Sequence, residues 1–145
     1  MIQVFIEAEA GSHAKNLYDE KTMEYKETRH VRQSYPYPYG FIIGTRGPDG
    51  DGVDCYVITK NMLRAGTLVE CKPIGLLEQD ENGEIDHKVL AALPGQRVEL
   101  GEELLKELHE FIHAVFAEVP EVHVRVGSIL PREAALSHIQ NFLDA

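Results

Sequence analysis

The chain has 145 residues, 43% of them hydrophobic, which is enough for one domain with a core and too few for two ordinary ones, so a single domain over residues 1–145 is expected. It carries 24 acidic against 14 basic side chains and a formal net charge of −10. That balance argues against nucleic acid or an anionic membrane as the main partner, since both call for a positive face, while a phosphate ligand is compatible if metal ions invert the local charge.

The elements follow in chain order. Residues 2–7, rich in β-branched side chains, read as a strand, and residues 16–19 and 24–29 as a weakly patterned hairpin. Tyr35-Pro36-Tyr37-Pro38-Tyr39-Gly40 cannot lie in a central strand, because each proline removes a ladder donor; it reads as an extended edge leading into a strand at 41–43. Further strands are predicted at 55–58, at 68–77 with a bend near Pro73 to Gly75, and at 88–93, with an acidic turn over 80–86 between the last two. Past Pro94-Gly95 the period changes. Leu104, Leu105, Leu108, Phe111, Ile112, Val115 and Phe116 recur at helical spacing, predicting an amphipathic helix over 101–118. Residues 122–126 alternate as a last strand, and a second helix begins near Pro131, a favoured first-turn residue. Strands first and helices last predict an α+β fold, mostly β: a small, mostly antiparallel barrel with two helices outside it.

Cys55 and Cys71 fall within apolar strand patterns and read as buried free thiols. The start Met1-Ile2-Gln3-Val4 has no basic segment or cleavage site, and no apolar run reaches transmembrane length. The expectation is a cytoplasmic protein.

Asp49-Gly50-Asp51-Gly52-Val53-Asp54 carries the chemistry. Three carboxylates within six residues repel one another unless a hard cation sits among them, and the glycines let the backbone turn several oxygens toward one point. A solvated turn is the ordinary reading of such a stretch. Against it, Asp54 abuts an apolar strand, where an unpartnered carboxylate costs free energy. A calcium-binding EF-hand loop requires glycine at its sixth position and glutamate at its twelfth, where this chain has Asp54 and Lys60. His109-Glu110-Phe111-Ile112-His113 satisfies a short zinc-protease pattern, but Phe111 and Ile112 belong to the core-facing stripe and no third ligand follows. Coincidence is the favoured reading there.

From its first strand to about Pro94, the chain resembles the soluble family I inorganic pyrophosphatases. The segment is similar to their Asp-x-Asp-Pro-x-Asp signature, with Gly52 in place of the usual proline. Tyr39-Gly40-Phe41-Ile42 resembles the aromatic segment before it, and Lys72-Pro73-Ile74-Gly75 the bent strand after it. Asp80, Asp86 and Lys88 match the second acidic cluster, with Ile85 as a one-residue insertion, and Glu7, Lys15 and Arg29 fall at metal and phosphate positions.

The resemblance implies a five-stranded OB-type closed barrel and hydrolysis of pyrophosphate to two phosphates by a metal-activated water. It implies Asp49, Asp54 and Asp86 as ligands of activating metals, magnesium or else manganese, and Asp51 as proton acceptor. It further implies Glu7, Asp80 and Asp86 facing the metals that accompany substrate, and Lys15, Arg29, Tyr39 and Lys88 contacting phosphoryl oxygens. Partners are then pyrophosphate or a similar small anion and, as in many bacterial members, further copies of the chain; neither nucleic acid nor a membrane is expected. Besides Gly52, two features depart from the pattern. Leu17 replaces an acid two residues after Lys15, and Val115 and Phe116 replace a phosphate-binding Tyr-Lys pair at the end of the first helix. The alternative is therefore a degenerate member that binds metal and a phosphorylated ligand without efficient turnover.

Overall fold

The computed structural model describes residues 1–144; the expected domain end at residue 145 lies outside the described residues. The strands are β1 (Ile2–Ala8), β2 (Ala14–Tyr18), β3 (Tyr25–His30), β4 (Tyr39–Ile42), β5 (Asp54–Val57), β6 (Leu68–Glu81), β7 (Glu84–Ile85) and β8 (Lys88–Ala92). Helix α1 (Glu102–Phe116), strand β9 (Val124–Pro131) and helix α2 (Arg132–Asn141) complete the order. The main sheet runs β1-β4-β5-β8-β6, and β6 pairs back onto β1, so the strand pairings form a ring of five. β5 and β8 pair in parallel, while the other neighbours in the ring are antiparallel. β2 and β3 stand apart as a hairpin. This is the α+β class with a barrel of the expected strand number.

β6 is the longest strand, and it runs through the bend predicted at Pro73 to Gly75 rather than ending there. Its register against β8 shifts between Pro73 and Gly75, where the proline has no N–H to give the ladder. β9 is longer than predicted because it pairs along β6 as far as Pro131, and Pro131 is the N-cap of α2 rather than its first residue.

Alternation along the strands separates two apolar layers. Val4, Ile6, Ile42, Cys55, Val57, Leu76, Val89 and Ala91 form one core, which α2 closes with Ala135 and Ile139. Tyr56, Ile58, Leu77 and Leu90 point to the opposite face, where α1 covers them with Leu104, Leu108 and Ile112. Helix α1 begins at Gly101 with Glu102 and Glu103 in its first turn, where acids complement the helix dipole. Cys55 and Cys71 are buried free thiols, as expected. Among the described residues, no helix is long and apolar enough to cross a membrane.

Gly40 sets how closely β4 approaches β1. A Cβ there would lie 1.8 Å from the carbonyl oxygen of Phe5, which is backbone and cannot rotate away. We therefore expect Gly40→Ala to lower unfolding stability by about 3 kcal/mol, read as a shift of the urea midpoint at unchanged slope. A midpoint within experimental error of the parent would show that the two strands can part at little cost.

Candidate active site

The strand face that carries α1 also carries the charged residues. Asp54 shares that face with Tyr56 on β5, Lys88 with Leu90 on β8, and Gln79 and Glu81 with Leu77 on β6. α1 covers only the part of this face beyond Tyr56 and Leu90. The uncovered part is a cavity of about 250 Å³ lined by Lys15, Tyr39, Asp54, Glu81, Asp86 and Lys88, among others.

Lys88 is 5% exposed. Its Nζ donates to Asp54 Oδ2 at 2.5 Å, to Asp86 Oδ2 at 2.9 Å and to the Tyr39 hydroxyl at 3.3 Å. Burial pulls the ammonium toward neutrality, but Asp54 and then Asp86 outweigh it and hold Lys88 well above its ordinary range. Tyr39, buried and facing the Asp54 charge, is held well above the usual phenol range.

A second group of acids surrounds the loop before β5. Gly44 and Gly50 take positive φ, at 82° and 87°, and Gly47 N–H donates to the Asp51 carbonyl at 2.7 Å. Asp49 Oδ1 accepts Asp51 N–H at 3.0 Å, so the first acid of the motif ties the turn that presents the second. Glu20, from the turn between β2 and β3, accepts Gly52 N–H at 2.6 Å. Glu7 sits on β1 beside these acids, and burial, then Glu20 and Asp54, push its carboxyl up to about 8. Asp51 is raised by burial, then by Asp49 and Asp54. Glu20 is raised as well, by burial first, with the Gly52 N–H opposing. Glu81 shares a hydrogen bond with Asp86; that bond and burial push Glu81 up to about 7, while the same bond and Lys88 hold Asp86 below the usual carboxylate range despite burial.

Glu7, Asp51, Asp54, Asp86, Lys15, Lys88 and Tyr39 are thus gathered around one hollow and its rim. Asp49 lies on the exposed loop beside it. Two of the expected residues are placed elsewhere. Asp80 points to the opposite face of β6 from Gln79 and Glu81, and its Oδ2 receives Arg125 from β9 at 3.1 Å; Glu81 stands beside Asp86 instead. The alternation of the strand decides this, and it was recoverable by counting outward from apolar Leu77. Arg29 is exposed on β3 opposite Lys15 and pairs with Glu27 at 3.2 Å. Glu20 had no spacing signal, because the fold of the hairpin against the loop brings it in.

Val115 and Phe116 do reach the cavity, with Phe111 and Ile112, so its α1 wall is apolar. The larger hollow, between Tyr37 and the first turns of α1, lies apart from the aspartate loop. His109 and His113 are stacked at 4.2 Å on α1. Among the described residues, no three His, Cys, Asp or Glu side chains close into a metal cage. The donor set nevertheless fits a hard divalent ion: it is all carboxylate oxygen, and burial and mutual repulsion hold Glu7, Glu20 and Asp51 up, a strain that a cation relieves.

Comparison with known proteins agrees with this arrangement. The family model described as inorganic pyrophosphatase matches residues 4–145. The inorganic pyrophosphatase of Nanoarchaeum equitans is 30% identical over 92% of this chain and 90% of its own length. That of Sulfolobus acidocaldarius is 35% identical over 79% of this chain, an alignment spanning 66% of the relative. Among solved structures, the inorganic pyrophosphatase of Thermus thermophilus superposes with a TM-score of 0.84 at 29% identity, covering 95% of this chain and 86% of the other. That of Helicobacter pylori gives 0.86 at 25% identity, over 97% and 89%. On the family match, on a relative of 30% identity over most of both chains, and on the likeness of fold, the chain belongs to the family I inorganic pyrophosphatases.

Proposed function

We propose that this protein hydrolyses inorganic pyrophosphate to two orthophosphates with magnesium, or manganese in its place, held by Glu7, Asp54, Asp86 and the loop acid Asp49. The observation that carries the reading is the meeting of Asp54, Glu81 and Asp86 with Lys15 and Lys88 at one cavity, with Glu7 and Asp51 near enough to Asp54 to feel its charge. When bound, divalent ions supply charge neutralisation and a more acidic water. The residues do the rest. Lys15, Lys88 and the Tyr39 hydroxyl face the hollow and hold phosphoryl oxygens, with Arg29 entering from the exposed side of the hairpin. Glu81 supplies the carboxylate beside Asp86, in the place expected of Asp80. Asp51, whose carboxyl is raised by burial and by Asp49 and Asp54, takes the proton of the attacking water. The water oxygen bonds to one phosphorus, the bridging P–O bond breaks, and P2O7 4− with H2O gives two HPO4 2−.

The apolar Val115 and Phe116 keep bulk water from the α1 side. A homo-oligomer in the cytoplasm belongs to the same proposal. Exposed Leu136 on α2 and Leu143 just past its end support a contact face, and two buried free thiols suit a reducing compartment.

Orthophosphate release from magnesium pyrophosphate tests the reading directly. We expect turnover by the parent and a loss of about 100-fold or more in kcat for Asp51→Asn, the range that general-base catalysis covers. Binding without release by the parent would replace hydrolysis with ligand binding alone.

The acids also set a pH dependence. Glu7 goes from an ordinary 4.5 to about 8 in the fold, so the folded chain holds this proton more tightly than the unfolded one. Its contribution is therefore fully present below about pH 4.5 and is lost as pH rises toward about 8. In chelator, Glu7→Gln should melt higher than the parent at pH 8 and alike at about pH 4.5, and magnesium should raise the parent's midpoint more at pH 8 than at pH 5. Equal parent and variant midpoints at pH 8 would remove Glu7 from the crowded group.

A further inference from the structure

Gln79 lines the cavity, and the fold uses its backbone but not its side-chain oxygen. Its backbone is engaged at both ends: its N–H donates to His87 Nδ1 at 3.0 Å, and its carbonyl accepts Asp86 N–H at 2.9 Å. The side chain is different. Gln79 is 3% exposed, and its Oε1 is the buried side-chain polar atom, among the described residues, that has no hydrogen-bond partner. Leaving such a group unpaired costs free energy, and no hydrogen bond within the fold accounts for the carboxamide.

The cavity limits what that partner can be. Gln79 lines it together with Lys15, Tyr39 and Lys88, the groups placed to hold phosphoryl oxygens. The α1 residues lining the same cavity, Phe111, Ile112, Val115 and Phe116, offer no hydrogen bond. Its Nε2 carries two donors, makes no hydrogen bond within the fold and, unlike Oε1, is not sealed from solvent. A neutral donor of this kind meets an anionic oxygen without adding a further charge among the acids.

We propose that Gln79 is a substrate-binding residue whose side-chain amide donates N–H to a phosphoryl oxygen of pyrophosphate, in a cavity where α1 supplies only apolar atoms. This rests on the pyrophosphatase reading above. It also gives the substrate a hydrogen-bond donor from β6 in a cavity where Val115 and Phe116 stand in place of polar residues.

The test compares the parent with Gln79→Met, which keeps the length of the side chain and removes its donors. Two readouts are needed: KM and kcat for magnesium pyrophosphate, and the calorimetric Kd of the non-hydrolysable analogue imidodiphosphate with magnesium. We expect KM and Kd to rise together by about tenfold, with a smaller change in kcat and a thermal midpoint equal to the parent's or higher, since an apolar group replaces an unpaired polar one. Gln79→Leu, measured alongside, should behave alike, so that a single misfolded variant does not decide the outcome. Unchanged KM and Kd in a folded variant overturn the role of Gln79 while leaving hydrolysis intact. A parent that binds imidodiphosphate but releases no phosphate overturns hydrolysis, and the Kd ratio still reads Gln79. A parent that neither binds nor hydrolyses overturns both.

Discussion

The site depends on one buried cation. Lys88 lies almost wholly out of water between Asp54 on β5 and Asp86 just before β8, and it bridges the parallel strand pair of the ring. Lys88 could not be held there charged without them, because an unpaired charge at such burial is far more costly than the pair, and removing one partner of a buried ion pair typically costs about 3–5 kcal/mol. The same contact that satisfies the two acids also occupies the ammonium. An anion that draws Lys88 toward itself leaves Asp54 and Asp86 without counter-charge, so other cations must arrive to replace it. Binding a polyanion in this cavity and binding divalent ions are therefore coupled through the Lys88 contacts, quite apart from any role the ions have in the chemistry.

Much of this was legible in the sequence because it follows from a period of two. Val53, Cys55 and Val57 against Asp54 and Tyr56 already say that one face of β5 is core and the other is charged and aromatic, and Lys88 against Val89 says the same for β8. The helical stripe of α1 was equally plain, and it correctly brings Val115 and Phe116 to the cavity. What the sequence hid was decided by tertiary context. Asp80 and Glu81 are adjacent acids that reading 80–86 as a turn left without a face; once β6 is seen to run on to Glu81, alternation from Leu77 turns Glu81 inward and Asp80 toward Arg125. Glu20 sits in a hairpin turn with no apolar period, and Gln79 is a neutral residue between the acids Glu78 and Asp80, which draw attention away from it.

Crowding of the acids is then the price of that geometry. Glu7, Glu20 and Asp51 are all raised, by burial first and by one another next, whereas Asp86, in contact with Lys88, is held down. Two electrostatic regimes meet within a single cavity: one half has a fixed internal cation, and the other half has none beyond Lys15 at the cavity wall. The carboxylates without a fixed partner are the ones on which external cations have the largest effect, because there a cation replaces repulsion rather than an existing ion pair.

The two departures on this side of the site also account for each other. Where the family pattern carries a proline, this chain has Gly52, whose N–H donates to Glu20 Oε1 at 2.6 Å. A proline has no such hydrogen, and even a Cβ at this position would stand 2.8 Å from that carboxylate oxygen and 2.9 Å from the Phe41 ring. Where the pattern carries an acid after Lys15, this chain has Leu17, and the carboxylate beside the aspartate loop comes instead from Glu20, three residues further along the same hairpin. Moving the acid to the turn requires a donor on the facing loop to hold it, and glycine at 52 both supplies the N–H and makes the room. Gly52 and Glu20 are therefore one change in two places: restoring proline at 52 alone would unseat Glu20, and losing Glu20 alone would leave the loop N–H without its acceptor.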